Sequence, residues 1–198
     1  MGRKPASAPN VIVLAGPNGA GKSTCAPELL RDTFHLTEFV NADVIAQGLS
    51  GFDPQGAALA AGRELLERVR ELARQHVDFA FETTLASRSY APWLADLIAG
   101  GYAIRLVFLW LPSADLAVER VALRVVAGGH DVPETTVRRR YAAGLRNFGE
   151  LYQPLASIWH VYDSSSSALP RLIATGVRRR TRRVYDQAIW RRVRKSIP

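Results

Sequence analysis

The sequence predicts an α/β protein: a doubly wound, mostly parallel five-stranded sheet with a helical lid and a basic C-terminal helix. Three observations predict it. Short apolar runs recur near Val11–Ala15, Glu38–Asn41, Val77–Phe81, Ile104–Leu111 and Ile158–Tyr162, and stretches of helical spacing separate them. The first run leads straight into Gly16-Pro17-Asn18-Gly19-Ala20-Gly21-Lys22-Ser23-Thr24, which fits G-x-x-x-x-G-K-[ST] at every fixed position. Helix formers through Ala26, Glu28, Leu29 and Leu30 follow, so the motif has the strand–loop–helix setting of a P-loop.

Met1 to Asn10 is a Pro/Ser/Ala leader. Strand one is Val11 to Ala15, and the first helix runs from Lys22 to about Asp32. Glu38 to Asn41 is a short strand, and Ala42 to Ala46 leaves its end. Gly48 to Pro54 holds turn residues, and Asp53-Pro54 reads as N-cap and N1 of a long helix reaching about Gln75. Strand three, Val77 to Phe81, ends in Glu82-Thr83-Thr84. A helix from Ser89 to Ala99 stops at Gly100-Gly101. Strand four, Ile104 to Leu111, is apolar nearly throughout, as a strand covered on both faces should be. Ser113 caps a helix to Val126, Gly128-Gly129-His130 breaks it, and a second helix runs from Pro133-Glu134 to about Phe148. Strand five, Ile158 to Tyr162, is followed by a polar turn from Ser164 to Ser167. The division is a leader at 1–10, a P-loop domain at 11–170 with its lid at about 113–148, and a basic tail at 171–198.

The P-loop spelling has a physical reason. Backbone N–H groups must curl around a phosphate, and glycine alone allows both the dihedrals and the close approach. The helix N-terminus adds positive potential. Lys22 supplies a point charge to the outer phosphates, and the Ser23 hydroxyl is a ligand for Mg²⁺. The chain uses arginine 23 times and lysine only at Lys4, Lys22 and Lys195, so Lys22 marks a site that needs an ammonium.

In doubly wound sheets the ligand lies at the carboxyl ends of the strands. The P-loop, Asp43 and Glu82-Thr83-Thr84 all meet that edge. Asp43 can take a proton from a substrate hydroxyl, hold Mg²⁺ through water, or cap the helix that follows. Glu82, with the hydroxyls of Thr83 and Thr84, can hold a polyol or sugar, and Arg88 is a further candidate. Arg120 and Arg124 share one helix face, and Arg138, Arg139 and Arg140 open the next helix. Such a pair of basic helices around a glycine hinge would close over a nucleotide and bring guanidinium onto the transferring phosphate. No His/Cys cluster has metal-ligand spacing, and His130 is expected to serve the hinge.

Composition sets the class. The chain has 198 residues, enough for one domain with a sizeable core, and no apolar run approaches the roughly 20 residues of a membrane span. The leader has no long apolar segment, so no secretory signal is read and the cytoplasm is expected. The lone Cys25 forms no internal disulfide and reads as a small core residue. Charge is unevenly spread. Arg171 to Pro198 holds ten basic residues and one acid, for +9, whereas the first 170 residues hold 16 basic and 17 acidic residues, for −1. Tyr185, Ile189, Val193 and Ile197 recur every four residues and can dock a helix on the body. The arginines then face solvent, or meet nucleic acid or another anionic partner.

GPNGAGKST, FVNAD at 39–43, FAFETTL at 79–85 and RVALRVVAGGHDVPETTVRRRY at 120–141 together resemble the short bacterial members of the zeta-toxin family of P-loop kinases. The resemblance covers roughly Val11 to Asp163. It implies ATP and Mg²⁺ as cofactors, a sugar hydroxyl of UDP-N-acetylglucosamine as acceptor, and an antitoxin partner. It implies Lys22 and Ser23 on the nucleotide and Mg²⁺, Asp43 as general base, and Glu82 and Thr84 on substrate. Arg124 with Arg139 or Arg140 would stabilise the transferring phosphate, and Arg120 would lie near the adenine or the phosphates. The chain departs from the pattern at Leu66, where an acid that binds substrate is expected; Arg63, Glu64 or Glu67 would stand in.

Two other readings stay open. Transporter-type ATPases also use GPNGAGKST, but Leu49-Ser50-Gly51 is a fragment of their signature placed too early, and strand four ends in Leu111-Pro112-Ser113 rather than Asp-Glu. A nucleic-acid-binding protein or polynucleotide kinase would use the basic tail.

Overall fold

The computed structural model describes residues 8–33, 36, 38–49, 58–129, 131–166 and 169–197, and for a few of these, Asp43 among them, the backbone alone. Most of the leader, the expected cap Asp53-Pro54 and His130 lie outside the described residues.

A seven-stranded sheet organises the chain, in the order β2-β3-β1-β4-β5-β6-β7. The strands are β1 (Asn10–Ala15), β2 (Phe39–Val40), β3 (Phe79–Thr83), β4 (Ala103–Trp110), β5 (Ile158–Asp163), β6 (Arg171–Val177) and β7 (Arg180–Val184). The first five in this spatial order run parallel and are the five expected. β6 and β7 are antiparallel additions.

The helices are α1 (Lys22–Ala26), α2 (Ala42–Leu49), α3 (Ala58–Arg74), α4 (Tyr90–Ala99), α5 (Ala114–Val126), α6 (Glu134–Asn147), α7 (Gln153–Leu155) and α8 (Gln187–Ser196). α1 continues as a π-helical segment, Pro27–Thr33. The expected cap of α5 is present, with Ser113 Oγ accepting from Leu116 N–H at 3.1 Å. None of the described helices is long and apolar enough to cross a membrane.

β1 shows why the sheet is wound on both faces. Val11, Val13 and Ala15 face one core with Leu65, Val69 and Leu72 of α3, Leu94 of α4, and Trp190 and Val193 of α8. Ile12 and Leu14 face a second core with Cys25 and Leu30, Ala117 and Val121 of α5, and Val137 of α6. An uninterrupted apolar strand needs cover on both sides. Burial pushes the Cys25 thiol up to about 11, as befits a core residue.

The C-terminal stretch is where expectation and structure part. Residues 171–184 are not tail but the last two strands, and only 187–196 is helix. Ile189, Val193 and Ile197 pack on the body as expected, together with Trp190. Tyr185 precedes the helix and is 50% exposed. Trp190 stacks on Trp159 with ring centroids 5.7 Å apart, and Trp110 Nε1 donates to Ser196 Oγ at 3.0 Å. The strands hide in the sequence because β7 is an edge rich in arginine, a device that blunts edge pairing. A register shift in each pairing also breaks the alternation.

β5 alternates differently from β1. Trp159, Val161 and Asp163 are buried, whereas Ile158, His160 and Tyr162 are half-buried. Burial, with the nearby Arg105 charge second, holds His160 below the usual histidine range. The unfolded chain takes up a proton as pH falls through about 6.5, and the folded chain resists it. Stability is therefore expected to drop between about pH 7 and 5.5, and His160→Gln to flatten that slope, as followed by urea denaturation at several pH values.

Candidate active site

The loop between β1 and α1 has the shape its spelling requires. Gly16 has φ 148° and Gly19 φ 75°. A Cβ on Gly16 would lie 2.5 Å from the Leu109 carbonyl oxygen, and one on Gly19 2.9 Å from that of Ala117. Both dihedrals and space thus demand glycine, with the loop wedged between β4 and α5. Lys22 turns back across the loop, and its Nζ donates to the carbonyl oxygens of Gly16 and Pro17, each at 2.9 Å. Lys22 is 6% exposed, and an ammonium so buried needs a counter-charge. Glu82 Oε1 stands 3.6 Å away.

Register delivers that carboxylate. β1 and β3 pair with Leu14 beside Glu82 and Ala15 beside Thr83, so the acid emerges at the rim where the loop begins. Glu82 Oε2 accepts from Ser23 Oγ and from Asn41 Nδ2, each at 2.9 Å. Asn41 Nδ2 also lies 3.3 Å from Ser23 Oγ. The ends of β2 and β3 and the loop after β1 are tied into one polar knot. Glu82, expected at the acceptor, is here engaged by Lys22, Ser23 and Asn41.

The knot fits Mg²⁺. Ser23 Oγ and Glu82 Oε2 are hard oxygen donors 2.9 Å apart. Among the described residues no group of three or more His, Cys, Asp or Glu could cage a metal unaided. Mg²⁺ typically takes one or two carboxylates and fills its coordination with waters and substrate phosphates.

A cleft of about 610 Å³ opens over the knot. Its walls include Asn18, Gly19, Gly21, Lys22, Ser23 and Thr24 of the loop, Thr83 and Thr84, and four of the expected arginines. Asn18 Oδ1 is buried with no hydrogen-bond partner among the described residues. Pro17 and Ala20 act through their backbone: the Ala20 carbonyl accepts from Ser164 Oγ at 2.7 Å.

The arginines separate by role. Arg120 clamps the loop after β5, donating to the carbonyls of Ser164, Ser165 and Ser166 at 2.6, 2.9 and 2.8 Å. It fixes the shape of that wall. Arg124, one turn on, and Arg139 and Arg140 across from it line the cleft. Arg138 turns away to Glu134 at 2.7 Å and Asp115 at 2.6 Å. The Gly128-Gly129 pair caps α5, with Gly129 N–H donating to the Arg124 carbonyl at 2.8 Å. α5 and α6, the expected lid, are seated on the body through buried Val121 and Val137, and Tyr141 donates to the Leu111 carbonyl at 2.9 Å.

The turn after β3 is built to stay put. Thr83 Oγ1 accepts from Leu85 N–H at 3.1 Å, and Thr84 Oγ1 from Ala86 N–H at 3.4 Å. Leu85 holds φ 57°, a strained value for a side-chain-bearing residue, and is fully buried. Asn147 Nδ2 donates to the Leu85 and Ala86 carbonyls at 2.8 and 3.2 Å. Gly144 lets α6 approach, since a Cβ there would lie 2.4 Å from the Thr84 carbonyl oxygen.

Three expected residues fall elsewhere or are only partly placed. Arg63 and Arg88 are exposed and do not line the cleft. Arg63 sits on the solvent side of α3, and Arg88 lies beyond the turn that re-aims the chain. Asp43 opens α2 two residues past Asn41, on the same rim, and its side chain is outside the description. Sequence reasoning missed Asn41, Asn147, the Ser164 contact and Tyr90, which also lines the cleft. Asn41 carried the same signal as Glu82, a polar residue at a strand end; the others depend on tertiary approach.

The model of a family described as an AAA domain matches residues 11–151, well over half the chain. The chain belongs to the AAA domain family. An uncharacterized protein from Haemophilus influenzae is 28% identical over 130 residues, 66% of this chain and 91% of that protein. Among solved structures, the AvrRxo1-ORF1:-ORF2 complex with ATP is similar at a TM-score of 0.67 and 14% identity, over 95% of this chain and 64% of that one. The PezAT chromosomal toxin-antitoxin system of Streptococcus pneumoniae is similar at 0.59 and 16% identity, over 82% and 71%. This AAA domain has the α/β P-loop kinase fold.

The arginine geometry yields a paired test. Arg138 pairs only with exposed acids, so Arg138→Ala is expected to leave stability and nucleotide affinity essentially unchanged. Arg140→Ala is expected to weaken a non-hydrolysable ATP analogue about tenfold, as charge-assisted contacts to phosphate would require, read by calorimetric titration.

Proposed function

We propose that this protein is an ATP-dependent phosphotransferase of zeta-toxin type, which phosphorylates a hydroxyl of a small substrate, with a sugar nucleotide such as UDP-N-acetylglucosamine the favoured acceptor. The observation that carries this reading is the knot of Lys22, Ser23, Glu82 and Asn41 at one sheet rim, faced across the cleft by Arg124, Arg139 and Arg140. Phosphoryl transfer is mostly positioning plus electrostatic stabilisation, and these groups supply both. Asp43 leaves the adjoining strand at the same rim.

In this mechanism the loop's backbone N–H groups and Lys22 hold the β- and γ-phosphates of ATP. Ser23 and Glu82 would hold Mg²⁺, which when bound neutralises charge on the phosphate oxygens. Asp43 takes the proton of the acceptor hydroxyl as its oxygen attacks the γ-phosphorus. The bond from that phosphorus to the β–γ bridging oxygen breaks, ADP departs, and Asp43 returns its proton to solvent. The arginines balance negative charge on the transferring group. Thr83 and Thr84, whose oxygens already accept backbone N–H bonds, still have O–H groups to donate to the acceptor.

The fold likeness to a toxin-antitoxin system makes a small antitoxin protein a reasonable partner within this reading. The test uses γ-labelled ATP and a panel of sugar nucleotides, sugars and polyols. Label is expected on UDP-N-acetylglucosamine or a related sugar nucleotide. Asp43→Asn is expected to lower turnover by about 10²-fold or more while binding of the ATP analogue persists. Hydrolysis of ATP with no labelled acceptor in the panel would overturn the reading.

A further inference from the structure

We propose that the open face of β5, β6 and β7 binds single-stranded nucleic acid, by stacking bases on its aromatic rings while the arginines around it hold the phosphates. The surface lies outside the cleft and has no part in phosphoryl transfer.

Register puts the rings and cations on one face. His160 pairs with Thr175, and Thr175 with Arg183, so these three form a row across the strands. Tyr162, two residues from His160, has its ring centroid 6.5 Å from the imidazole. Tyr185, two residues from Arg183, has its ring 4.8 Å beneath that guanidinium. The opposite face of the same strands is sealed by Trp159, Val161 and Ile173. This face is only partly covered: Tyr162 leans on the second core and is half-buried, as are His160 and Thr175, whereas Arg183 is exposed and Tyr185 is 50% exposed. A half-open antiparallel sheet normally turns ordinary polar side chains to water. Two tyrosines, a histidine and arginines are instead the components of a base-stacking platform.

Charge and strain point the same way. Arg171 to Pro198 carries +9 on a body of −1, which is complementary to a polyanion. The hairpin between β6 and β7 turns through Arg178-Arg179, and Arg178 holds φ 48°. Such turns favour glycine or asparagine where φ is positive, so Arg178 is a cation placed where glycine would relieve strain. Arg178, Arg179, Arg180 and Arg182 are all exposed along this edge. Rings flanked by a basic edge suit a strand that has both phosphates and exposed bases; an acidic protein would need the charge and not the rings.

The test uses the full chain and a fluorescent 12-nucleotide oligo(dT), followed by anisotropy over a salt series. Binding is expected to weaken with salt at a log–log slope of about −3, as four or so phosphate contacts to a single strand would give. Tyr185→Ala is expected to weaken binding about tenfold and Tyr185→Phe to retain it, because stacking uses the ring face. Arg183→Ala is expected to reduce both affinity and slope. Both side chains are exposed, and unchanged affinity for the ATP analogue checks the fold. No oligonucleotide binding at low salt would overturn the proposal. So would binding that Tyr185→Ala leaves intact and that base-free polyphosphate displaces equally well, since that pattern means charge alone and a different anionic partner.

Discussion

A buried ammonium opposite a buried carboxylate sits at the centre of this molecule. Lys22 and Glu82 are both nearly sealed from solvent, and neither could be tolerated alone. Removing one member of a buried pair commonly costs about 3–5 kcal/mol because the other charge is left behind. The pair therefore constrains more than two side chains. It requires β3 to lie directly beside β1 in the observed register, and it requires the loop to curl so that Nζ can also reach two of its own carbonyls. An arriving triphosphate would meet a lysine already held in place, so little ordering cost would remain to be met on binding.

The walls of the cleft answer to the same constraint from outside. The loop presses on α5 at Gly19, and α6 presses on the turn after β3 at Gly144. Asn147 then locks the strained Leu85 by its carbonyl. Close packing makes such contacts all-or-none rather than gradual. The arginines of α5 and α6 consequently point into the cleft from helices whose positions the knot's own surroundings define. The exposed arm of Arg138 shows the contrast: on the same helix, one residue from Arg139, it serves only surface ion pairs.

Much of this was legible in the sequence, for identifiable reasons. The P-loop is local, so its strand, glycines and helix could be read together from consecutive residues. The strand ends carrying Glu82 and Asn41 could be read as a rim, because parallel winding puts every such end on one side. What Glu82 touches could not be read that way. Its pairing with Lys22 depends on which strand neighbours β1, and the sequence carries no local mark of strand order. Arg120 illustrates the same limit: a clamp on three carbonyls forty-odd residues away looks, in one dimension, like any cation on a helix face. β6 and β7 were lost for another reason. Their pattern is broken by register shifts and overwritten by arginines, whose charge dominates any reading of the segment.

Strand order also divides the labour of the sheet. β2 and β3 lie on one side of β1 and carry the rim with Asn41 and Glu82; β6 and β7 lie on the other and carry much of the excess positive charge. From β3 to β6 is four strand spacings, or about 19 Å at ~4.8 Å each. At that separation, surface charges are screened by about two Debye lengths at physiological salt. The basic edge therefore adds little to the field at Lys22, and the cleft must supply its own cations, as Arg124, Arg139 and Arg140 do. The loop after β5, held by Arg120, links that strand to the P-loop. Its Ser164 hydroxyl donates to the Ala20 carbonyl of the P-loop. Any influence of the open face on the cleft has to pass through packed contacts, this loop and Tyr162 on the second core among them, because the field cannot carry it.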